Sequence, residues 1–173
     1  MKSNELLKSD YHEYYGPYIE VLGTNSLNEL LIKQLDNFPQ FIESIADEKL
    51  HYAYTEGKWT IAEVLLHIID AERVFQYRAL RFARNDTTKL PGFDQDAYVE
   101  TSMANTWSKE DIIKAYRAVR QSTISLFLSF NESQLKRKGI ASNSPMSVGA
   151  LGFICCGHQK HHRNVIRAKY LNT

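Results

Sequence analysis

The sequence predicts an all-α protein, a four-helix bundle with a long crossover between the second and third helices. Apolar residues recur every three or four positions in four segments, each of roughly 20 residues, which is typical of amphipathic helices. No segment shows the alternation of apolar and polar residues that indicates a strand. The connection between the second and third segments is the longest, and this arrangement favours a bundle in which the second and fourth helices face each other.

Composition is ordinary for a globular protein and excludes several classes. A chain of 173 residues suits one domain, residues 1–173, with residues 1–25 as a lead-in segment. Its 21 basic and 20 acidic residues give a net charge of +1, which indicates neither a nucleic-acid nor a membrane partner. Two adjacent cysteines, Cys155 and Cys156, form no disulfide framework, and the N-terminus lacks a signal-peptide core. We therefore expect a cytoplasmic protein.

The lead-in and the first helix have distinct signatures. The lead-in is rich in tyrosine around Pro17 and should be extended or briefly helical, packing by its aromatic rings. Ser26 and Glu29 form a capping box that opens the first helix, whose apolar positions continue to Ile45. Pro39 lies inside this run, and because proline removes a backbone donor, the helix should kink or split there. Residues 46–58 then form a connection with Gly57 as its turn.

The second helix begins after a second capping box, Thr60 to Glu63, and should end near Phe82 or Ala83. One arc is apolar but is interrupted by Glu72 and Gln76. Another arc mixes apolar side chains with four polar ones, namely Glu63, His67, Asp70 and Arg78. Such a mixed arc is either the solvent face of the helix or a polar pocket inside the fold.

The crossover, residues 85–107, contains helix breakers, acidic residues and aromatic residues. Connections of this length are often functional. Asp94 and Asp96 could reach the mouth of a site, although such residues more often shape turns. Ser108 caps the third helix, whose seam consists of residues at helical spacing: Ile112, Tyr116, Val119, Thr123, Leu126 and Phe130. Residues 131–146 are polar and turn-rich, and no strand is predicted there.

The fourth helix carries a pair of histidines. Ser147 is its predicted N-cap, and the apolar pattern runs to Tyr170. His158 and His162 lie four residues apart and share one face, where two imidazoles can hold one divalent cation. Apolar neighbours on that face indicate that it points inward, with His161 on its flank. Lys160, Arg163 and Arg167 should lie in solvent. The alternative is a surface patch or a packed core histidine.

A third ligand must come from elsewhere, and His67 on the second helix is the candidate. Catalytic zinc sites have three protein ligands and an open position, which this set matches. His67 could equally be an ordinary polar residue. Asp70 could accept a hydrogen bond from a ligand imidazole or be a surface carboxylate. Cys155 is a conceivable fourth ligand, although buried cysteine is usually a small hydrophobic residue.

Two strings carry a resemblance to a known family. Residues 57–67, GKWTIAEVLLH, and residues 157–162, GHQKHH, resemble the DinB-like family with its YfiT-type metal-dependent hydrolases and thiol transferases, and the likeness extends over residues 26–172. The resemblance implies a four-helix bundle, often a homodimer, with a cation such as zinc or nickel held by His67, His158 and His162. Relatives often carry Glu after the first late histidine. Here that residue is Gln159, so a zincin-type base is absent at this position.

Several functions stay open. The first is a metal-dependent enzyme that activates water or a low-molecular-weight thiol for hydrolysis or S-transfer on a small substrate. The alternative is a metal- or ligand-binding stress-response module without turnover, and a third possibility is a purely structural dimeric bundle. No residue is assigned as catalytic.

Arginines on the second helix also have two interpretations. Arg78 or Arg81 could hold an anionic part of a substrate, or both could form a solvated basic ridge with Arg84, which is the commoner situation. Phe153, on the same face of the fourth helix as Lys160, would suit a dimer seam.

Overall fold

The computed structural model describes residues 1–171 and consists mainly of four long helices. The α-helices are α1 Gly16–Glu20, α2 Leu27–Glu43, α3 Ile61–Ala83, α4 Gln95–Thr101, α5 Lys109–Leu128, α6 Glu132–Leu135 and α7 Val148–Val165. The strands are β1 Lys138–Ala141 and β2 Ser144–Ser147. Short 3₁₀ turns are Ser3–Glu5, Lys8–Asp10, Glu13–Tyr15, Asp47–Lys49 and Ala104–Thr106, and a π-helical turn, Ile166–Leu171, follows α7. The long helices α2, α3, α5 and α7 confirm the predicted all-α bundle.

The predicted helix starts are confirmed. Each long helix begins after a serine or threonine whose hydroxyl accepts a hydrogen bond from the backbone N–H three residues later: Ser26, Thr60, Ser108 and Ser147. Of the two outcomes expected at Pro39, a kink or a split, the split does not occur, because α2 continues through the proline. Phe38 and Phe41 are buried on either side of it, so core packing holds the chain helical despite the missing donor.

The long helices do not follow one another around the bundle. α3 packs against α7 and α5, and α2 packs against α5 and α7. Consequently α2 and α3 lie on one diagonal of the bundle, and α5 and α7 lie on the other. The predicted pairing of the second and fourth long helices is confirmed. It places one face of α3 against one face of α7.

A buried polar layer separates two apolar clusters. On α2, Gln34 lies between Leu31 of one cluster and Phe38 of the other. On α3, Glu72 lies between Ile69 and Phe75 in the same way. Each of the four long helices contributes to this layer, which therefore spans the whole cross-section of the bundle.

Arg120 of α5 is the centre of the polar layer. Its guanidinium donates to Glu72 Oε2 at 2.8 Å and to Gln34 Oε1 at 2.8 Å. Gln34 Nε2 in turn donates to the Cys156 carbonyl at 2.9 Å. The Arg120 side chain is fully buried and that of Glu72 is 2% exposed. Because a buried charge is tolerated only with a partner, this network holds the helices in one register.

The crossover and the following segment contain structure that the sequence did not predict. The crossover forms α4 and a 3₁₀ turn, and Leu90 pairs with β1 through hydrogen bonds to Ile140 and Ser142. The β1–β2 hairpin was missed because each strand has only four residues and they contain Gly139 and Pro145, which weaken a strand pattern.

The lead-in covers the outer side of α7, which is therefore enclosed from Val148 to Gln159. The interpretation of Phe153 as a dimer seam is wrong, because this residue is fully buried. Lys160 is half-buried rather than free in solvent and donates to the Val21 carbonyl at 2.6 Å. Within residues 1–171, no helix has the length and apolar character needed to cross a membrane.

Replacing Arg120 with Met tests the polar layer. The change leaves Glu72 buried without its counter-charge, so the free energy of unfolding should fall by about 3–5 kcal/mol. Arg117→Met on the same helix is the control, because Arg117 and its partner Asp36 are exposed and 3.6 Å apart. Its effect should be below about 1 kcal/mol. Urea denaturation measures both variants.

The double variant Glu72→Gln/Arg120→Met removes both charges and should recover part of the lost stability. An Arg120→Met protein as stable as the unchanged protein would contradict the role of the ion pair.

Candidate metal centre

Three histidines from two helices converge at one point. His67 Nε2 of α3 lies 3.0 Å from His158 Nε2 of α7, and His162 Nε2 lies 3.1 Å from the same atom. The potential ligand atoms of the three residues all lie within 4.8 Å of one another. The structure thus brings together residues that are 91 positions apart in the chain.

Aromatic rings surround the three imidazoles. The Trp59 ring lies 4.9 Å from that of His67, centroid to centroid. Tyr18 of the lead-in packs edge-on against His158 at 5.7 Å, and Phe75 does so at 6.0 Å. His67 and His158 are buried and His162 is half-buried. These contacts limit the rotation of the rings and shield them from bulk water.

The enclosure keeps the imidazoles neutral. Burial lowers the pKa of His67 to about 4, although the charge of Asp96 opposes the shift. Burial, followed by the neighbouring His67 and His161, lowers the pKa of His162 to about 3. The pKa of His158 is also well below its ordinary value, mainly because of burial. Neutral imidazole is the form that binds a metal ion, so all three rings are in the ligating state at neutral pH.

The donor set fits a divalent cation. A neutral imidazole carries at most one proton on Nε2, so His158 can donate in only one of its two short nitrogen contacts. Ligands of a tetrahedral zinc ion, at 2.0–2.1 Å from the metal, lie roughly 3.3 Å from one another. The observed separations of 3.0 and 3.1 Å are close to that value. With all potential ligand atoms within 4.8 Å of one another, the three residues could hold one cation after their rings adjust.

A pocket of about 200 Å³ opens beside the histidines. All three histidines line it, together with aromatic and polar side chains from the lead-in, α3, the crossover and the hairpin: Tyr14, Tyr15, Tyr18, Phe75, Arg78, Phe93, Gln95 and Ser142. A small molecule in this pocket would have direct access to the three-histidine cluster.

The other candidate ligands lie elsewhere. Asp70 pairs with Arg73 at 2.8 Å on the outside of α3, as the surface alternative expected. Cys155 Sγ lies 3.8 Å from Arg120 Nη2 in the polar layer and is not part of the histidine cluster. His161 is exposed and contacts the Tyr18 ring at 5.2 Å.

The acidic residues of the crossover and Gln159 have separate positions. Asp94 caps α4 by accepting from two backbone N–H groups, so it shapes a turn. Asp96 lines a small neighbouring pocket that includes His162. Gln159 is buried on another side of α7, beside Gln34 and Arg163. A carboxylate at position 159 would therefore face away from the pocket that the three histidines line.

The interpretation of Arg78 as part of a solvated basic ridge is wrong. Its side chain is buried, with 2% of the residue exposed, whereas Arg84 is exposed and Arg81 pairs with Asp86 at the surface. The sequence did contain a signal, since Arg78 follows His67 by three helical turns and shares its arc. The mixed arc of α3 is thus partly a pocket wall, at His67 and Arg78, and partly solvent-exposed.

Sequence reasoning missed Tyr18 and Gly157 as parts of the site. A Cβ atom at Gly157 would overlap the carbonyl oxygen of Tyr18, so only glycine lets the lead-in pack this close to α7. The adjacent position, His158, is the one that the Tyr18 ring covers. Such a contact joins residues far apart in the chain, and no local pattern reports it.

Comparisons with known proteins find related sequences. A profile of the DinB superfamily matches residues 30–166. A protein of Oceanobacillus iheyensis, provisionally named a metal-dependent hydrolase, is 27% identical over 148 residues, which cover 82% of this chain and 84% of that protein. A protein of Geobacillus thermodenitrificans with the same provisional name is 24% identical over 125 residues, covering 70% of this chain and 69% of that protein.

Solved structures share the fold. YfiT from Bacillus subtilis, described as a probable metal-dependent hydrolase with an unusual four-helix bundle topology, superposes with a TM-score of 0.70 and 20% identity. The match covers 96% of this chain and 91% of that one. The mycothiol-dependent maleylpyruvate isomerase gives a TM-score of 0.67 at 8% identity, covering 95% of this chain and 62% of that one. At these identities the likeness shows a common fold and does not extend to the reaction.

Gly157→Ala tests the contact between the lead-in and α7. Alanine normally stabilises a helix by about 1 kcal/mol relative to glycine, but here the added methyl group meets the Tyr18 backbone. We expect a net loss of about 1–3 kcal/mol in the free energy of unfolding and faster proteolysis within residues 1–25. Gly16→Ala is the control, because its Cβ would find only Glu20 Oε1, at 4.0 Å. Equal proteolysis of both variants would show that the contact is unimportant.

Proposed function

This chain belongs to the DinB superfamily, and from that premise we propose that it is a metal-dependent enzyme acting on a small molecule. In this proposal His67, His158 and His162 hold one divalent cation. The observation that carries the proposal is the convergence of three neutral imidazoles, two buried and one half-buried, beside a pocket of about 200 Å³. A structural site would be expected to surround its ion with protein, whereas these histidines border a pocket that can admit a reactant.

The protein's own residues would position the reactants. A divalent cation with an open position supplies Lewis-acid activation of a water molecule or a thiol near neutral pH. The three imidazoles would hold the cation at one wall of the pocket. Tyr18 and Phe75 restrain the His158 ring and reduce the access of bulk water, which strengthens electrostatic interactions inside the pocket.

No carboxylate is among the described residues that line the pocket. Burial raises the pKa of two lining tyrosines, Tyr15 and Tyr18, and so keeps their hydroxyls protonated. The reaction should therefore depend on a nucleophile whose pKa a bound cation would lower enough for its proton to pass to solvent. Hydrolysis by activated water is the first candidate, in line with the names of the sequence relatives.

S-transfer from a low-molecular-weight thiol is the second candidate. A thiol has a lower pKa than water and needs less help from a protein base, so the absence of a carboxylate from the pocket lining favours it. The fold shared with a mycothiol-dependent isomerase is compatible with this chemistry.

Other expectations stay predictions. These are zinc or nickel as the cation, a homodimer, a cytoplasmic location and a single domain over residues 1–173, whose last two residues lie outside the described part. A homodimer would need a surface other than Phe153, which is buried. A metal-binding stress-response module without turnover is the outcome if the loaded protein is inactive.

His67→Ala tests the ligand set. The purified protein should contain about one equivalent of divalent metal, measured by inductively coupled plasma mass spectrometry. Loss of His67 should weaken binding by more than the roughly 10–100-fold caused by removing an outer-shell partner of a ligand. His161→Ala is the control and should keep the metal, because His161 lies outside the cluster. An equimolar metal content in His67→Ala would refute the assignment.

Turnover assays separate the candidate functions. A panel of 4-nitrophenyl esters tests hydrolysis, and glutathione or cysteine with 1-chloro-2,4-dinitrobenzene tests S-transfer. Activity should disappear on chelation and return with Zn²⁺ or Ni²⁺. Fully loaded protein that is inactive in both assays would favour the non-catalytic module.

A further inference from the structure

Arg78 is a buried cation without an anionic partner. Its guanidinium donates through Nη2 to the Pro91 carbonyl at 3.0 Å and to Ser142 Oγ at 3.0 Å. Both acceptors are neutral. None of the ion pairs formed by the described residues includes Arg78. Burial of an unpaired charge is unfavourable by several kcal/mol, so such a group is normally compensated.

No nearby side chain supplies the missing negative charge. Tyr15 is close enough for its pKa to respond to Arg78, but burial dominates and keeps the phenol protonated. The Phe93 ring lies 5.9 Å from the guanidinium carbon, which provides only a weak cation–π contact. Arg78 differs in this respect from Arg120, whose charge is matched by Glu72.

The free donors of Arg78 are reachable from the pocket. Only Nη2 has acceptors in the described chain, which leaves the Nε and Nη1 donors unused. Neither of these atoms is among the fully enclosed polar atoms that lack partners. Arg78 also lines the same pocket as the three histidines. Its unused donors can therefore meet a ligand bound there.

The guanidinium is held firmly in place. Ser142 adopts a left-handed backbone conformation, φ +51°, in the turn between β1 and β2, which is uncommon for a residue other than glycine. Pro91 belongs to the crossover, which Leu90 joins to β1. Three separate segments thus fix the orientation of one side chain, as expected of a preorganised binding group.

We propose that Arg78 is the anion-recognition residue of this pocket, and that the substrate is a small organic anion with an apolar body. This inference rests on the proposed function, because it places the anionic group of the substrate at Arg78 and its reacting group toward the histidines. Arg78 and His67 both line this pocket and are three helical turns apart on α3, about 16 Å along the axis, so they lie toward different ends of it. The aromatic lining of the pocket suits the apolar body.

Benzoate and its neutral isostere benzamide are the probes. Isothermal titration calorimetry on metal-free and metal-loaded protein should show binding of benzoate and a clear preference for it over benzamide. In Arg78→Met, benzoate binding should weaken roughly 10–100-fold, as expected for losing a hydrogen bond to a charged group, while benzamide binding changes little. Arg84→Met makes the same change of charge on an exposed residue that directly follows α3 and should bind benzoate normally.

The outcomes distinguish this inference from the proposed function. Equal benzoate binding by Arg78→Met and the unchanged protein would overturn the inference. The same conclusion holds if both proteins bind benzoate equally and only when metal is present. A protein that takes up no metal but binds benzoate through Arg78 would refute the metal-dependent function and leave the anion site standing.

A purely structural role of Arg78 makes a different prediction. If Arg78 only joined α3 to the crossover and the hairpin, Arg78→Met would lose stability without changing the preference for benzoate over benzamide. Should that variant fail to fold, the NMR resonance of the Nε–Hε group of Arg78 in the unchanged protein distinguishes the two roles. Benzoate should shift this resonance and benzamide should not, and no shift with benzoate would overturn the inference.

Discussion

The ion pair between Glu72 and Arg120 is the contact on which the rest of the architecture depends. Apolar side chains pack in several helix registers, but two buried charges meet in only one. Glu72 follows His67 by five residues on α3, and Cys155, beside Arg120, precedes His158 by three on α7. Because the two helices run in opposite directions here, the polar layer and the histidine layer lie about one to one and a half turns apart. The polar layer also includes α7, because the Cys156 carbonyl accepts from Gln34 Nε2, and it lies next to the layer in which His67 meets His158.

The lead-in and the hairpin complete what the four helices begin. Without the lead-in and the hairpin, one side of His158 and one side of Arg78 would be uncovered. Gly157 allows the backbone of Tyr18 to approach α7, so an aromatic ring covers His158. The turn between β1 and β2 places the Ser142 hydroxyl where it accepts a hydrogen bond from Arg78. The pocket is therefore built from helices and connecting segments together.

The order of the helices in the bundle is unusual. Consecutive long helices would usually lie side by side, yet α2 and α3 are diagonal, as are α5 and α7. The connections must then cross the ends of the bundle, and their residues become available to line a site. A shared bundle is thus compatible with different reactions, because the long helices supply the histidines and the connections supply part of the pocket lining.

The sequence by itself determined the four long helices, their caps and the pairing of His158 with His162 on one face, since helical periodicity, capping boxes and a four-residue spacing are local features. His67 entered only as a candidate third ligand. It also showed that the arc of α3 carrying His67 and Arg78 is mixed, without deciding whether it faces water or the interior. Only the tertiary structure decided that Arg78 is buried and unpaired, that Phe153 lies in the core, and that Gly139 and Pro145 belong to a hairpin. Burial and charge pairing depend on which segments meet in space, and those contacts join residues too distant in the chain for any local pattern to encode.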